Sequence, residues 1–286
     1  MSSDPSKDSN EPEQRVTSGL RIALLGAGKM GGILLQAFLR SGLFTVDQIA
    51  ATVAHEARAK ALTEQLGLTV TTDSRSAVEG ADIVLLAVKP TQVLQLVQEI
   101  RSQIKPGALV ISIAASVKTG PIEEFVGGSA AVIRAMPNTP AMLGAGITAL
   151  CRGRFVKDEQ LALAQKIFAT VGRTVVVDER HMDAVTGLSG SGPAFLYIII
   201  ESLAEAGVNV GLPREIATQL AAQTAYGAAK MVLETGSHPA LLKDEVTTPA
   251  GCTVDGILEL EEGGLRVTLI KAVKRATERA RELAGN

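Results

Sequence analysis

Tryptophan is absent from this 286-residue chain, and only two Tyr and six Phe stand in for it, although 46% of the residues are hydrophobic. Ala, Val, Leu and Gly must therefore build the core, as in an α/β domain joined to closely packed helices. Charge of one sign is also lacking: the formal net charge is -2. With no basic patch along the chain, nucleic acid is excluded as the main partner. The two cysteines, Cys151 and Cys252, form no CxxC pair, so a disulfide framework is not expected. They read as reduced thiols of a cytoplasmic protein. His55, His181 and His238 are scattered without metal-ligand spacing, so no metal site is expected. In the C-terminal half the longest purely apolar run, residues 194–200, stops at Glu201, too short for a bilayer, and no membrane partner is expected. Residues 1–18 are polar and lack the apolar stretch of a signal peptide; a solvated, disordered tail is expected there.

What is present is a strand–helix alternation. Short apolar runs at residues 20–25, 48–53, 68–71, 81–88, 108–114, 131–135, 147–150 and 174–177 read as strands. Helices are expected at 30–39, 56–66, 91–104 and 158–171. This pattern predicts a parallel-rich, doubly wound sheet of the Rossmann type over residues 19–180. Beyond Arg180 the strands stop, and helices are expected at 193–206, 213–235, 240–244, 253–261 and 265–283. The all-α segment 181–286 reads as a substrate-binding and dimerisation domain. In its long helix Ile216, Leu220, Ala221, Thr224, Ala225, Ala228 and Val232 form one small-residue apolar stripe. A second copy of the chain is the favoured cover for it, and burial within one chain the alternative.

Gly26-Ala27-Gly28-Lys29-Met30-Gly31 follows a predicted strand and opens a predicted helix, the context in which GxGxxG signals a dinucleotide. Gly26 suits the tight turn, Gly28 the approach of a pyrophosphate, and Gly31 the packing of helix on sheet. An acid at the tip of the second strand would select NAD, but the tip here reads Ala51-Thr52-Val53-Ala54-His55. Asp47 precedes the strand and lies at its wrong end. Thr52, His55 and Arg58 are candidates to hold an extra phosphate, with Glu56 as the opposing charge. NADPH is the expected cofactor, and NADH stays open. Ala87-Val88-Lys89-Pro90 ends another strand at the carboxyl edge where such sheets bind ligands. Lys89 is there either an exposed loop lysine or a ligand contact.

A second loop, Val246-Thr-Thr-Pro-Ala-Gly-Cys-Thr253, lies between two predicted helices. Backbone N–H groups at a helix N-terminus, with hydroxyls beside them, hold a small carboxylate without metal or arginine. Ser189 and Ser191 do not form GxSxG, and no strand precedes them, so a nucleophile elbow is not expected. Ser191 reads as a helix N-cap and Pro193 as a first-turn proline. Glu259, Glu261 and Glu262 read as a solvated helix face.

With those blocks in view the chain resembles pyrroline-5-carboxylate reductases. The resemblance spans about residues 20–283 and rests on Gly26 to Gly31, Ala87-Val-Lys-Pro90, Met136-Pro-Asn-Thr-Pro140 and the region from Ser189-Gly-Ser-Gly-Pro193 to Arg266. It implies reduction of 1-pyrroline-5-carboxylate to L-proline by NAD(P)H, the last step of proline biosynthesis. It also implies a helical domain that interlocks with a partner's, and assembly beyond a dimer, up to a decamer. By the same resemblance Gly251, Cys252 and Thr253 hold the carboxylate and ring of the imine, with Thr253 as the catalytic group near its nitrogen. Asn138, Thr139 and Lys89 would line the nicotinamide end, Asn138 also meeting substrate. Two departures stand out: Ser74 occupies a cofactor position often held by Asn, and Ala250-Gly251-Cys252 replaces a glycine pair and a smaller residue. Competing readings are a related reductase of another cyclic imine and a non-catalytic dinucleotide-binding protein. The Thr-Pro-Ala-Gly-Cys-Thr loop favours catalysis, since a sensor has no evident need of an imine pocket.

Overall fold

A computed structural model of the chain describes residues 17–249 and 251–284. These divide into two compact units. One takes everything up to Gly190 and, from Thr277, the end of the last helix; the other is Ser191–Ala276. Of the stretch expected to be a disordered tail, residues 1–16 lie outside the described residues. Thr17 corrects the expectation at its end: it is buried, its hydroxyl donates to Leu43 O, and Gln48 Nε2 donates to its carbonyl at 2.8 Å.

The first unit is built on an eight-stranded sheet of order β3-β2-β1-β4-β5-β6-β7-β8. Its strands are β1 (Ile22–Leu25), β2 (Ile49–Thr52), β3 (Thr69–Thr71), β4 (Ile83–Leu86), β5 (Leu109–Ser112), β6 (Ala131–Met136), β7 (Gly146–Arg152) and β8 (Gly172–Val176). Alternation sorts their side chains to two faces. On one face Ile22, Leu24, Ile83 and Leu85 pack with Leu34 and Phe38 of α1 (Lys29–Arg40) and Phe168 of α6 (Asp158–Ala169). On the other, Ala23, Leu25, Val84 and Leu86 meet Val97 and Ile100 of α4 (Val93–Ile100) and Ile122 of α5 (Thr119–Val126). Strands covered on both sides are apolar at every position, which is why β1 reads as an unbroken run. Two short helices, α2 (Glu56–Leu66) and α3 (Ser74–Val78), complete the β2–β3–β4 connections.

Every pairing is parallel except β6 with β7. The reversal follows from the connection: only a 3-10 turn, Thr139–Leu143, separates the two strands. A parallel neighbour requires a longer crossover. Helix α5 was not expected from the sequence; it opens Thr119-Gly120-Pro121.

After α7 (Met182–Val185), a π-helical turn over Thr186–Gly190 runs on into α8 (Gly192–Asn209). Ser191 does hold the N-cap position of α8, but with helical angles, φ -88 and ψ -24, and without a capping bond from its side chain. Pro193 does sit in the first turn of α8. The path Glu179–Asn209 is, by length and composition, apolar enough to cross a bilayer, which the short run at 194–200 did not suggest.

In the second unit α8 packs on α9 (Arg214–Thr235), followed by α10 (Pro239–Val246), α11 (Cys252–Glu262) and most of α12 (Leu265–Ala284). Close approach rests on small side chains: a Cβ on Gly207 would lie 2.9 Å from that of Ala217. Glu205 and Arg214 join the same two helices at their turn, Arg214 Nη2 donating to Glu205 Oε2 at 3.1 Å. Among the described residues of this unit only Ala204, Ala217 and Ala221 are buried. Of the apolar stripe of α9, Ala221 is buried but its large side chains are left open, Ile216 47% and Leu220 53% exposed. Among the described residues nothing covers these two side chains.

Candidate functional site

A cleft of about 660 Å³ opens at the carboxyl ends of β1, β2 and β4. The sheet runs from β1 to β2 on one side and to β4 on the other, so this is the switch point where such folds bind ligands. Gly26, Ala27, Gly28 and Lys29 form one wall, Thr52, Val53, Ala54 and Arg58 a second, and Ala87, Val88 and Lys89 a third.

The glycine turn is built by close backbone packing. Gly26 has φ +103, and a Cβ there would lie 2.9 Å from the Ala87 carbonyl carbon. Its N–H donates to Thr52 Oγ1 at 3.0 Å, and the Ala27 N–H donates to Thr52 O at 2.7 Å. Thr52, expected as a phosphate donor, thus lines the cleft while anchoring the turn. Gly28 caps α1 with extended ψ, and a Cβ there would meet nothing within 4 Å. Its surroundings hold open space where a phosphate would approach, and the unpaired N–H groups of the first turn of α1 face an end with no acid in it. Gly31 is different: a Cβ would lie 2.2 Å from Gly26 O, so its glycine serves packing.

Lys29, Arg58 and Lys89 line the cleft against a single acid, Glu99. That balance suits an anion. Arg58 and Ser74 both reach the lining, while Glu56 does not. The Glu56 carboxylate instead accepts from the Thr72 hydroxyl.

Other expected cofactor residues fall outside the cleft lining. Met30 is half-buried against the core, His55 is the exposed residue before α2, and Pro90 starts a 3-10 turn behind Lys89. Asn138 and Thr139 are also absent from the lining. The Asn138 side chain is committed to structure: it accepts from the Ile147 N–H at 3.0 Å and donates to Ser189 O at 3.1 Å. It thereby ties β7 to the π-helical turn.

Sequence reasoning missed Thr72, Gln92, Gln95, Leu96 and Glu99 of the lining. The last four recur at helical spacing just after the Lys-Pro corner, a period that marks one face of a helix. That was the available signal.

In the second unit, Gly251 is the residue before α11, whose first two positions are Cys252 and Thr253. A Cβ on Gly251 would lie 2.4 Å from Thr248 Oγ1, so the loop closes tightly on itself there. The Gly251 N–H donates to Thr248 O at 2.9 Å, and Val254 N–H donates to Gly251 O at 3.1 Å. Cys252 is exposed and Thr253 half-buried, so the start of α11 presents backbone donors and one hydroxyl together. Among the described residues no group of His, Cys, Asp and Glu is placed to hold a metal.

Two family models match the chain. Residues 179–283 match pyrroline-5-carboxylate reductase dimerisation, and residues 21–116 match NADP oxidoreductase coenzyme F420-dependent. A pyrroline-5-carboxylate reductase of Methanosarcina acetivorans is 44% identical over 263 residues, covering 92% of this chain and 97% of the relative. Among solved structures, a pyrroline-5-carboxylate reductase from Coxiella burnetii superposes with a TM-score of 0.86 at 37% identity, covering 93% of this chain and 98% of that one. A Plasmodium falciparum pyrroline carboxylate reductase with NADP bound gives 0.83 at 28% identity, with 93% and 98% covered. Identity at this level along nearly the whole length, together with the glycine turn and the matched C-terminal helices, places the chain in the pyrroline-5-carboxylate reductase family.

Proposed function

We propose that the chain makes L-proline from 1-pyrroline-5-carboxylate with NADPH in the switch-point cleft and the imine at the start of α11. The family supports the reaction, an NAD(P)H-dependent reduction of a C–N double bond. The observation that carries the cofactor half is the Gly26–Gly28 turn, bonded to the tip of β2 and open where a pyrophosphate would lie.

When bound, NADPH supplies hydride. The chain's own part is binding and aim. Lys29 and the N-terminus of α1 are set for the pyrophosphate, Arg58 and Ser74 for the extra phosphate, and Lys89 for the opposite wall. The N–H groups of Cys252 and Thr253 receive the substrate carboxylate, and Gly251 lets the loop close against Thr248 just before them. The imine carbon is electrophilic once its nitrogen is protonated, so the protein need supply no strong acid. Holding that carbon about 3–3.5 Å from the hydride donor does most of the work. The Thr253 hydroxyl steadies the ring nitrogen. Of the residues given to the nicotinamide end, Lys89 keeps a direct part, while Asn138 acts through the loop it braces.

The second unit's open apolar faces support a homodimer, and larger assembly up to a decamer is part of the proposal. We place the enzyme in the cytoplasm, where two free thiols stay reduced.

The test is oxidation of NADPH followed with a panel of cyclic imines. Turnover with pyrroline-5-carboxylate and none with the others is expected. Thr253→Ala should lower kcat/KM about tenfold, the scale of one hydrogen bond to a charged group, with NADPH affinity unchanged. Normal turnover and normal substrate affinity in that variant would remove Thr253 from the mechanism.

A further inference from the structure

Thr72 follows the end of β3 and lines the cleft beside Arg58 and Ser74. Its hydroxyl donates to the carboxylate of Glu56, the acid in the first turn of α2. Glu56 sits where the positive end of a helix favours negative charge. A phosphate beside Arg58, two residues further along the same helix, would compete for that place and be repelled by a free carboxylate. A free carboxylate here would accept from ribose hydroxyls instead, the arrangement that selects NADH. The bond to Thr72 occupies that carboxylate, and Glu56 is not part of the cleft wall while Thr72 is.

We propose that Thr72 is a specificity-determining residue that tethers Glu56 away from the cofactor phosphate and so admits NADPH. Glu56 is the latent acid of an NADH site, and Thr72 keeps it latent. The inference rests on the reading that the extra phosphate lies beside Arg58.

Dissociation constants for NADPH and NADH, measured on the full-length enzyme by fluorescence of the bound reduced nicotinamide, decide it. Thr72→Val should weaken NADPH about fivefold, the scale of a screened surface charge interaction, and leave NADH unchanged or tighter. Thr72→Ser keeps the hydroxyl and should keep the wild-type ratio. Glu56→Gln alone should hold NADPH at least as well as wild type, and adding Thr72→Val to it should change nothing further. An equal loss for Thr72→Val with and without Glu56→Gln would mean that Thr72 touches the cofactor directly, and a silent Thr72→Val would mean that the tether has no effect; either overturns the proposal. Arg58→Ala separates this from the underlying reading. It should weaken NADPH more than NADH, and equal losses would remove the phosphate from this end of the cleft and the tether with it.

Discussion

Gly28 and Gly31 share one motif and one spacing, yet they answer to different demands. A Cβ on Gly31 would press to 2.2 Å from Gly26 O, whereas one on Gly28 would meet no protein atom within 4 Å. Gly31→Ala must push α1 off the sheet, at about 1–3 kcal/mol for overpacking of this kind. Gly28→Ala should leave thermal stability near wild type and still weaken NADPH, since the added methyl fills space reserved for phosphate. Calorimetry and cofactor titration on the two variants separate the roles. Normal NADPH affinity in Gly28→Ala would mean that the pyrophosphate lies elsewhere. Cys151 carries a second residue-scale consequence. Burial and then the nearby Glu179 push its thiol from 9.0 up to about 11. The folded state thus holds a proton that the unfolded chain begins to lose near pH 9, so this contribution to stability is complete below pH 9 and disappears as pH rises through 11. Denaturant unfolding of wild type and Cys151→Ala across that window should show the difference between them shrinking. A constant difference would sink the assignment.

At the scale of elements, the sequence showed its helices and strands best where periodicity was long and uninterrupted. Helix α2 runs Glu56–Leu66, within the limits its pattern predicts. The failures have separate physical causes. The sequence pattern gives no helix at Thr119-Gly120-Pro121, since glycine and proline punctuate helices, but proline is tolerated in a first turn, and α5 starts there. The β6–β7 reversal was legible in principle, since nine residues without a full helix cannot carry a parallel crossover. Ser189-Gly190-Ser191-Gly192 looks like a loop that must be capped. Ser189 and Gly190 instead end a π-helical turn, where Asn138 donates to the Ser189 carbonyl and Gly190 leaves room for Met136, whose Cε would lie 2.8 Å from an added Cβ. Both partners come from the β6–β7 connection and the strand before it, far away in sequence.

For the whole molecule, the question is what covers the second unit. Its described residues bury three alanines, while Leu196, Tyr197, Ile198, Ile216 and Leu220 stand more than 45% exposed. A helical segment with so little core of its own is marginal alone, and a second copy removes the deficit. Ile216→Asp with Leu220→Glu, one helical turn apart on α9, should lower the molar mass found by light scattering at micromolar concentration. An unchanged mass would take this face out of the interface. Dissociation with the same helicity by circular dichroism is the expected result.

From its residues alone the chain specified the local features on which the proposed sites rest: the glycine turn after a strand, the missing acid at the tip of β2, and the Thr-Gly loop before α11. Those signals are local, because a turn and a helix start are set by a few neighbours along the chain. Tertiary structure alone decided which side chains reach the cleft. It brought in Thr72 and the α4 face, turned Asn138 into a brace, and drew Glu56 to Thr72. Such choices depend on which strand ends lie side by side, and hydrogen bonds formed across that distance have no signature in sequence spacing.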